Sequence, residues 1–258
     1  MTVYRFFIDQ SMVKDNLIVL SGDVGKHARA VRLKSGEMFE AVTPGRLYSA
    51  VVESSSPGGV IGRVQQSVPV APPRYEVHLF AGMLKASKMD FVVEKATELG
   101  VTSVTPVICS RSVSSPDPAG WEKKISRWRR IALSAAEQSR RVLLPEVKYP
   151  VRLEDMVGAT CFRTWPGKLI LAWEGLAGAP SDLSAVVAGQ RWLGVLVGPE
   201  GGFSDSEVDA ALRRGFVPVS LGPHVLTAET ACIMAVGLAV FLLERADCHA
   251  SEAGVRQG

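Results

Sequence analysis

Residue types that could do chemistry gather at Val197-Gly198-Pro199-Glu200-Gly201-Gly202-Phe203-Ser204. Three glycines and a proline leave a stretch of bare backbone around one acid. Ser204, with Glu207 three residues on, forms a capping box that starts a helix. The apolar run Trp192 to Val197 just before it predicts a buried parallel strand. Strand, glycine loop and helix is the geometry by which open α/β sheets hold a ligand at the carboxyl ends of their strands. The alternative is a tight turn that needs glycine for backbone reasons alone.

The loop does not have the spacing of a phosphate cradle. No Lys-Ser/Thr pair follows the glycines, and there is no G-x-G-x-x-G. Glu200 would also repel a polyphosphate that backbone N–H groups attract. A ligand with a cationic centre and an adenosine body suits an acidic, glycine-lined loop better, and S-adenosylmethionine is such a molecule. Gly201 is expected to face that ligand from outside the core, so that a bulkier side chain there blocks entry without unfolding the domain. A second loop of similar make begins at Gly222-Pro223.

The elements that must position these loops follow two rhythms. Up to about residue 70 the chain reads as short strands, Leu17 to Leu20, Met38 to Val42, Leu47 to Val52 and Val60 to Val64, separated by Gly, Pro and Ser turns. That spacing suggests a small β-barrel. His27 to Lys34 reads instead as a short helical turn carrying Arg29, Arg32 and Lys34: a phosphate contact for a polynucleotide, or a solvated basic face. Pro69, Pro72 and Pro73 mark a stiff connection and a domain boundary.

A β/α rhythm follows. Tyr75 to Gly82, Val101 to Ile108, Lys168 to Trp173 and Val217 to Leu221 read as strands. Met89, Val92, Val93, Ala96 and Leu99 keep helical spacing, and Gly100 ends that helix. Trp121, Ile125, Trp128, Ala132 and Ala135 form a second helical stripe, flanked by seven cations between Lys123 and Arg141. Val208 to Arg214 continue the capped helix. Ala228 to Arg245 form a helix that is apolar on nearly every side, buried in a core or at a subunit interface, with a polar, frayed tail from Ala246.

Composition sets outer bounds. The 258 residues suffice for one large domain or two smaller ones, and 47% hydrophobic with 21% charged residues argues for a folded chain. A net charge of +3 means that any nucleic-acid surface must be local. Cys109, Cys161, Cys232 and Cys248 lie far apart, with no CxxC pair or Cys/His cluster, so neither a zinc site nor a disulfide framework is expected. Reduced thiols fit a cytoplasmic protein. Arg5 and Asp9 break the first apolar run, which is not expected to be a signal peptide. The longest apolar stretch, Ala231 to Leu243, is 13 residues, too short to span a bilayer.

Several segments then match a known family together. They are Lys88-Met89-Asp90, Glu94 to Val101, Arg111 to Val113, Ala136 to Arg141 with Leu144 to Val147, the Val197 to Phe203 loop, and Leu221 to Ala231. In order and spacing they resemble the bacterial 16S ribosomal RNA uridine-N3 methyltransferases, the RsmE family of the SPOUT superfamily. Tyr4-Arg5-Phe6-Phe7 and His27 to Arg32 are similar as well, so the resemblance covers nearly the whole chain.

The resemblance implies an α/β protein in two parts: a small PUA-like, RNA-binding β-barrel over residues 1–71, then a SPOUT methyltransferase domain over 72–258. That second domain would be tied in a trefoil knot, a rare exception to unknotted topology. It further implies a cytoplasmic homodimer that uses S-adenosylmethionine, and no metal, to methylate N3 of a uridine in 16S rRNA or the small ribosomal subunit. Positions matching the family's cofactor site are Leu196, Gly198, Pro199, Glu200, Gly201, Leu221, Gly222 and Leu226. Glu229, Thr230 and Arg141 match its catalytic region, and His27, Arg29, Arg32, Arg111, Arg140 and Arg141 match RNA contacts. Because the sulfonium already activates the methyl, direct transfer needs positioning and loss of the N3 proton.

The chain departs from the family in its last loop, where His224 and Thr227-Ala228 stand in place of Arg and Arg-Thr. Two cations that would favour a uracil anion or hold target phosphate are missing. His224 either substitutes in part or is an exposed loop histidine without a role. Pro44-Gly45 also replaces the usual Asp-Gly. A non-catalytic RNA-binding or assembly protein that keeps the fold is therefore a second reading. A nucleotide-utilising enzyme is a third that lacks its phosphate motif.

Overall fold

The computed structural model describes residues 3–112, 120–159, 165–173, 175 and 182–255, without the side chains of 86 and 247–255. The chain divides into two compact units: Met1–Pro73 with Ala136–Leu143, and Arg74–Ala135 with Leu144–Gly258.

In the first unit, β1 (Tyr4–Phe7), β2 (Val13–Lys14), β3 (Leu17–Leu20), β4 (Met38–Thr43), β5 (Arg46–Ser56) and β6 (Gly59–Pro69) form one mixed sheet. Its order is β1-β4-β5-β6-β3-β2. Only β1 and β4 run parallel; the other pairs are antiparallel. Among the described residues no hydrogen-bonded pair joins the two ends. Register shifts between Ser49 and Ala50 and between Val52 and Ser54 bend the long β5–β6 pair. Alternation puts Phe6, Ile18, Leu20, Phe39, Ala50 and Val60 into one core. Burying an aromatic such as Phe6 contributes roughly 2–3 kcal/mol.

Helix α1 (Gly22–Ala30) packs on this core through Ala28. The helical turn expected over His27 to Lys34 is corrected. The helix starts earlier and ends at Ala30, and Arg32 has left-handed backbone, φ 59°. Amides of Val31, Arg32 and Leu33 close on the carbonyls of His27, Arg29 and Ala28, which reverses the chain and sends Leu33 inward. Pro69, read as part of the connection, is instead the last residue of β6 and pairs with Arg46.

In the second unit the elements are β7 (Glu76–Gly82), α2 (Ala86–Glu98), β8 (Ser103–Ile108), α3 (Trp121–Gln138), β9 (Glu146–Val147), β10 (Val151–Arg152), α4 (Leu153–Gly158), β11 (Lys168–Ala172), α5 (Leu183–Val187), β12 (Trp192–Val197), α6 (Asp205–Arg213), β13 (Phe216–Val219) and α7 (Ala228–Val255). The sheet order is β10-β8-β7-β12-β11-β13, with β9 beside β8, and every pair is parallel. Both faces are covered, which explains the near-continuous apolar strands. Val77, Leu79, Val195 and Val197 face a core shared with α2, α3 and α7. Phe80, Leu169, Leu171 and Leu196 face one shared with α4 and α6.

Two sequence boundaries move. The last strand ends at Val219 rather than Leu221, because Ser220 and Gly222 fold into a local turn. The final helix does not stop near Arg245 but continues to Val255. No helix among the described residues is long and apolar enough to cross a membrane.

The last residues of α3 and the segment after it group with the first unit. Glu137 accepts from the Phe7 amide at 3.3 Å and lies 3.3 Å from His27 Nδ1. Burial pushes the Glu137 carboxyl above its ordinary range, against the pull of His27 and the Phe7 amide. Arg5, nearly buried, pairs with Glu40 at 2.6 Å and donates to the Arg140 carbonyl.

Candidate active site

The site lies where the sheet changes direction. From β7 the chain crosses to β8 on one side, whereas β12 leads to β13 on the other, so the loops leaving β7 and β12 diverge. Ligands of open α/β sheets bind at such switch points. Here the two strand ends touch. A Cβ at Gly82 would lie 2.3 Å from the Pro199 nitrogen, so glycine is required for the approach.

The first loop is held at several points. Val197 ends β12, and Gly202 N–H closes a turn on the Pro199 carbonyl at 2.9 Å. Arg111 donates to the carbonyls of Gly201 at 3.4 Å and Phe203 at 3.1 Å. Ser204 then caps α6 with the capping box read from the sequence. Glu207 accepts from the Ser204 amide at 2.9 Å and from the Ser110 amide at 2.7 Å and hydroxyl at 2.9 Å. Burial works to raise the Glu207 carboxyl, but these hydrogen bonds outweigh it and hold it below the usual carboxylate range.

The second loop joins β13 to α7. Gly222 has φ 129°, a conformation few other residues adopt. His224 is exposed and Val225 is 82% exposed. Thr227 and Thr230 hydroxyls pair at 3.0 Å, and the Ala231 amide returns to the Thr227 carbonyl at 2.8 Å.

Between the loops is a cavity of about 220 Å³. Its walls include Gly198, Pro199 and Glu200 from the first loop, Val225, Leu226 and Thr227 from the second, and Lys88 from α2. Lys88 Nζ is 3.0 Å from Glu229 and 3.8 Å from Glu200. One cation between two carboxylates leaves the group one net negative charge. Glu200 Oε1 also accepts from the Lys85 amide at 3.3 Å, while its Oε2 is buried without a partner. Burial works to raise the Glu229 carboxyl, but hydrogen bonds, first from its own amide and then from Lys88, outweigh it and bring it below the usual range.

Of the residues matched to a cofactor site, Gly198, Pro199, Glu200 and Leu226 therefore line one cavity. Leu196 is fully buried in the core behind β12. Leu221 packs against the main core, and Gly222 is exposed in the turn before the cavity wall. Gly201 does not line the cavity: a Cβ there would meet Arg111 Cβ and its carbonyl oxygen, each at 2.9 Å. The glycine is required for the close approach of Arg111.

Glu229 and Thr230 begin α7 beside the cavity. Arg140, with φ 57°, and half-buried Arg141 belong to the first unit. Arg111 spends its guanidinium on the loop carbonyls. His27 pairs with Glu137 and sets its ring edge-on to Phe6, and Arg29 donates to the Ser56 carbonyl at 3.5 Å. The sequence places Lys88 in a matched segment, Lys88-Met89-Asp90, and assigns it no role in the site. Cys109 and Cys232 are buried free thiols, each pushed up to about 12 by burial, so neither is a thiolate nucleophile at neutral pH. Cys161 lies outside the described residues, as does the Cys248 side chain. Among the described residues no cluster of His, Cys, Asp and Glu could hold a metal ion.

A parallel sheet with a cavity between two carboxyl-end loops at its switch point defines an α/β domain built to hold a ligand, and residues 71–240 match the model of the RNA methyltransferase domain. The chain belongs to the family of ribosomal RNA small subunit methyltransferase E. It is 33% identical over 257 residues to the protein of that name from Mycobacterium tuberculosis, covering 98% of this chain and 97% of that one. To the one from Mesomycoplasma hyopneumoniae it is 31% identical, covering 90% and 96%. A Legionella pneumophila protein solved with its bound cofactor SAM is similar in structure, with TM-score 0.79, 29% identity, and 93% and 97% of the chains covered. The Neisseria gonorrhoeae ribosomal RNA small subunit methyltransferase E bound to S-adenosyl methionine shares the fold, with TM-score 0.81, 24% identity, and coverage of 93% and 98%.

Proposed function

We infer that the protein binds S-adenosylmethionine between its two glycine loops and methylates N3 of a uridine in 16S ribosomal RNA. The observation that carries this is the buried, unpartnered Oε2 of Glu200 in the cavity wall, where Lys88 is shared with Glu229 beside the cavity and the three groups together carry one net negative charge. A cationic sulfonium is favoured there and a polyphosphate is not. Val197, Leu226 and Ala231 offer apolar wall for an adenine ring. Bound there, the cofactor supplies a methyl group already activated for in-line transfer. The chain's own part is to orient and to keep charges fixed. Glu200 offers an acceptor oxygen. Lys88 holds Glu229 ionised at the mouth of α7, where Glu229 and Thr230 can receive the uracil edge and its departing proton. Leu196 and Leu221 support the loops from the core, Gly222 gives the second loop its turn, and Gly201 lets Arg111 close on the first. In the first unit His27, Arg29, Arg32, Arg140 and Arg141 face RNA; in the second, Arg111 acts through the loop it clamps.

This reading includes a PUA-like barrel in the first unit, supported by its bent antiparallel strands. It includes a trefoil knot in the second, supported by the cavity that the β12 and β13 loops share. It also includes a cytoplasmic homodimer acting on 16S rRNA or the small subunit. Met234 and Phe241 on α7, 37% and 54% exposed beside buried Ala235, Val236, Ala239 and Val240, support a subunit interface on that helix. Light scattering at micromolar concentration that finds monomer alone would count against the dimer.

The test is calorimetry with S-adenosylmethionine, followed by mass spectrometry of 16S rRNA and small subunits after incubation with the protein and cofactor. Binding with one methyl at N3 of a uridine is expected. No cofactor binding would overturn the reading. Binding without methyl transfer would favour a non-catalytic RNA-binding or assembly protein, which the absence of arginine at His224 and Thr227 makes the second reading.

A further inference from the structure

The first unit carries a cavity of about 620 Å³ in which Arg32 is the one residue read above as an RNA contact. Its apolar wall is formed by Tyr4, Val31 and Met38, with Tyr4 36% and Met38 49% exposed. An aromatic ring and a thioether left in water beside a hollow indicate a flat apolar occupant. Arg32 and Lys34 stand on the same wall. The reversal at Arg32 fixes both beside the ring, with Leu33 buried between them. Neither side chain has an ion pair or side-chain hydrogen bond among the described residues. Glu37 is the remaining charge, and its carboxylate accepts the Lys34 amide at 2.9 Å. An acid on the wall disfavours a phosphate inside the hollow, whereas the two cations at the wall favour phosphates close by.

We propose that this cavity binds one unstacked nucleotide of single-stranded RNA, its base against Tyr4 and Met38 and its flanking phosphates on Arg32 and Lys34. The proposal rests on the reading of the chain as an rRNA methyltransferase. Bases stack on aromatic faces without regard to sequence, while cations track the backbone. The site therefore adds grip on any splayed-out strand and chooses no base by hydrogen bonding.

The test measures fluorescence anisotropy of short labelled oligouridine, and of an abasic oligomer of equal length, with the full chain across a range of salt. Tyr4→Ala should weaken oligouridine about tenfold and leave the abasic oligomer unchanged, while Tyr4→Phe stays within about twofold of the parent. Arg32→Ala with Lys34→Ala should weaken both oligomers and lower the salt slope by about 1.4. Three outcomes overturn the proposal: the parent fails to bind oligouridine, Tyr4→Ala binds it as the parent does, or the abasic oligomer is lost equally. Tyr4→Phe falling with Tyr4→Ala would overturn it too, because the ring would then not be what is read. If Tyr4→Ala splits a dimer in light scattering and keeps its RNA affinity, the face belongs to a second copy and the proposal fails. Calorimetry with S-adenosylmethionine on the same samples keeps the two readings apart. Cofactor affinity equal to the parent's in Tyr4→Ala is expected, and a parent that binds no cofactor overturns the methyltransferase reading instead.

Discussion

The two loops that enclose the cavity are built from similar residues and held in different ways. The β12 loop is fastened at both ends and the middle: Gly82 lets Pro199 sit against β7, Arg111 grips two carbonyls, and Glu207 ties the start of α6 to Ser110. The β13 loop has a serine–glycine turn at one end and a pair of threonine hydroxyls at the other, and between them His224 and Val225 face solvent. One loop is part of the scaffold and brings Glu200 to a fixed place. The other is held by bonds at its two ends alone among those described, and its middle residues are exposed.

Substitutions in the clamped loop should therefore cost stability, and substitutions in the open loop should change binding alone. The largest effect is expected for Gly201→Val. Its Cβ meets backbone of Arg111 at 2.9 Å, so the clamp must shift, and about 1–3 kcal/mol of unfolding free energy should be lost. Urea unfolding reads this directly, and an unchanged midpoint would break the comparison. Glu207→Ala comes next, at about 1–2 kcal/mol, since it removes the reciprocal cap and leaves the Ser110 amide unpaired.

The pH dependence sharpens the same point. The Glu207 carboxyl is held below its ordinary range, so its stabilisation is fully present above the unfolded pKa and is lost as pH falls through the lower folded value. Unfolding of parent and Glu207→Gln should differ at neutral pH and converge in acid. The smallest effect is expected in the open loop: Val225→Ser should change stability by less than about 0.5 kcal/mol. It should instead weaken S-adenosylmethionine in calorimetry, because Val225 lines the cavity. A stability loss equal to that of Gly201→Val would mean that the second loop is scaffold as well.

The sequence by itself determined the strand, loop and capped helix around Gly198, the helical stripes of α2 and α3, and the change from short strands to β/α rhythm near residue 70. These are local matters, settled by hydrogen bonds and side-chain spacing within a few residues, so the boundaries of β3 and β12 match their apolar runs. Only the tertiary structure decided that Lys88 stands between Glu200 and Glu229, more than a hundred positions away. It alone decided that Gly201 faces Arg111 rather than the cavity, and that Glu137 and Arg140 join the first unit. The pairings around the loops depend on which strands lie side by side, and a parallel sheet joins strands through long crossovers that need not follow chain order. An apolar run says that a strand is buried; what stands beside its end is settled only when the whole sheet has closed around one core.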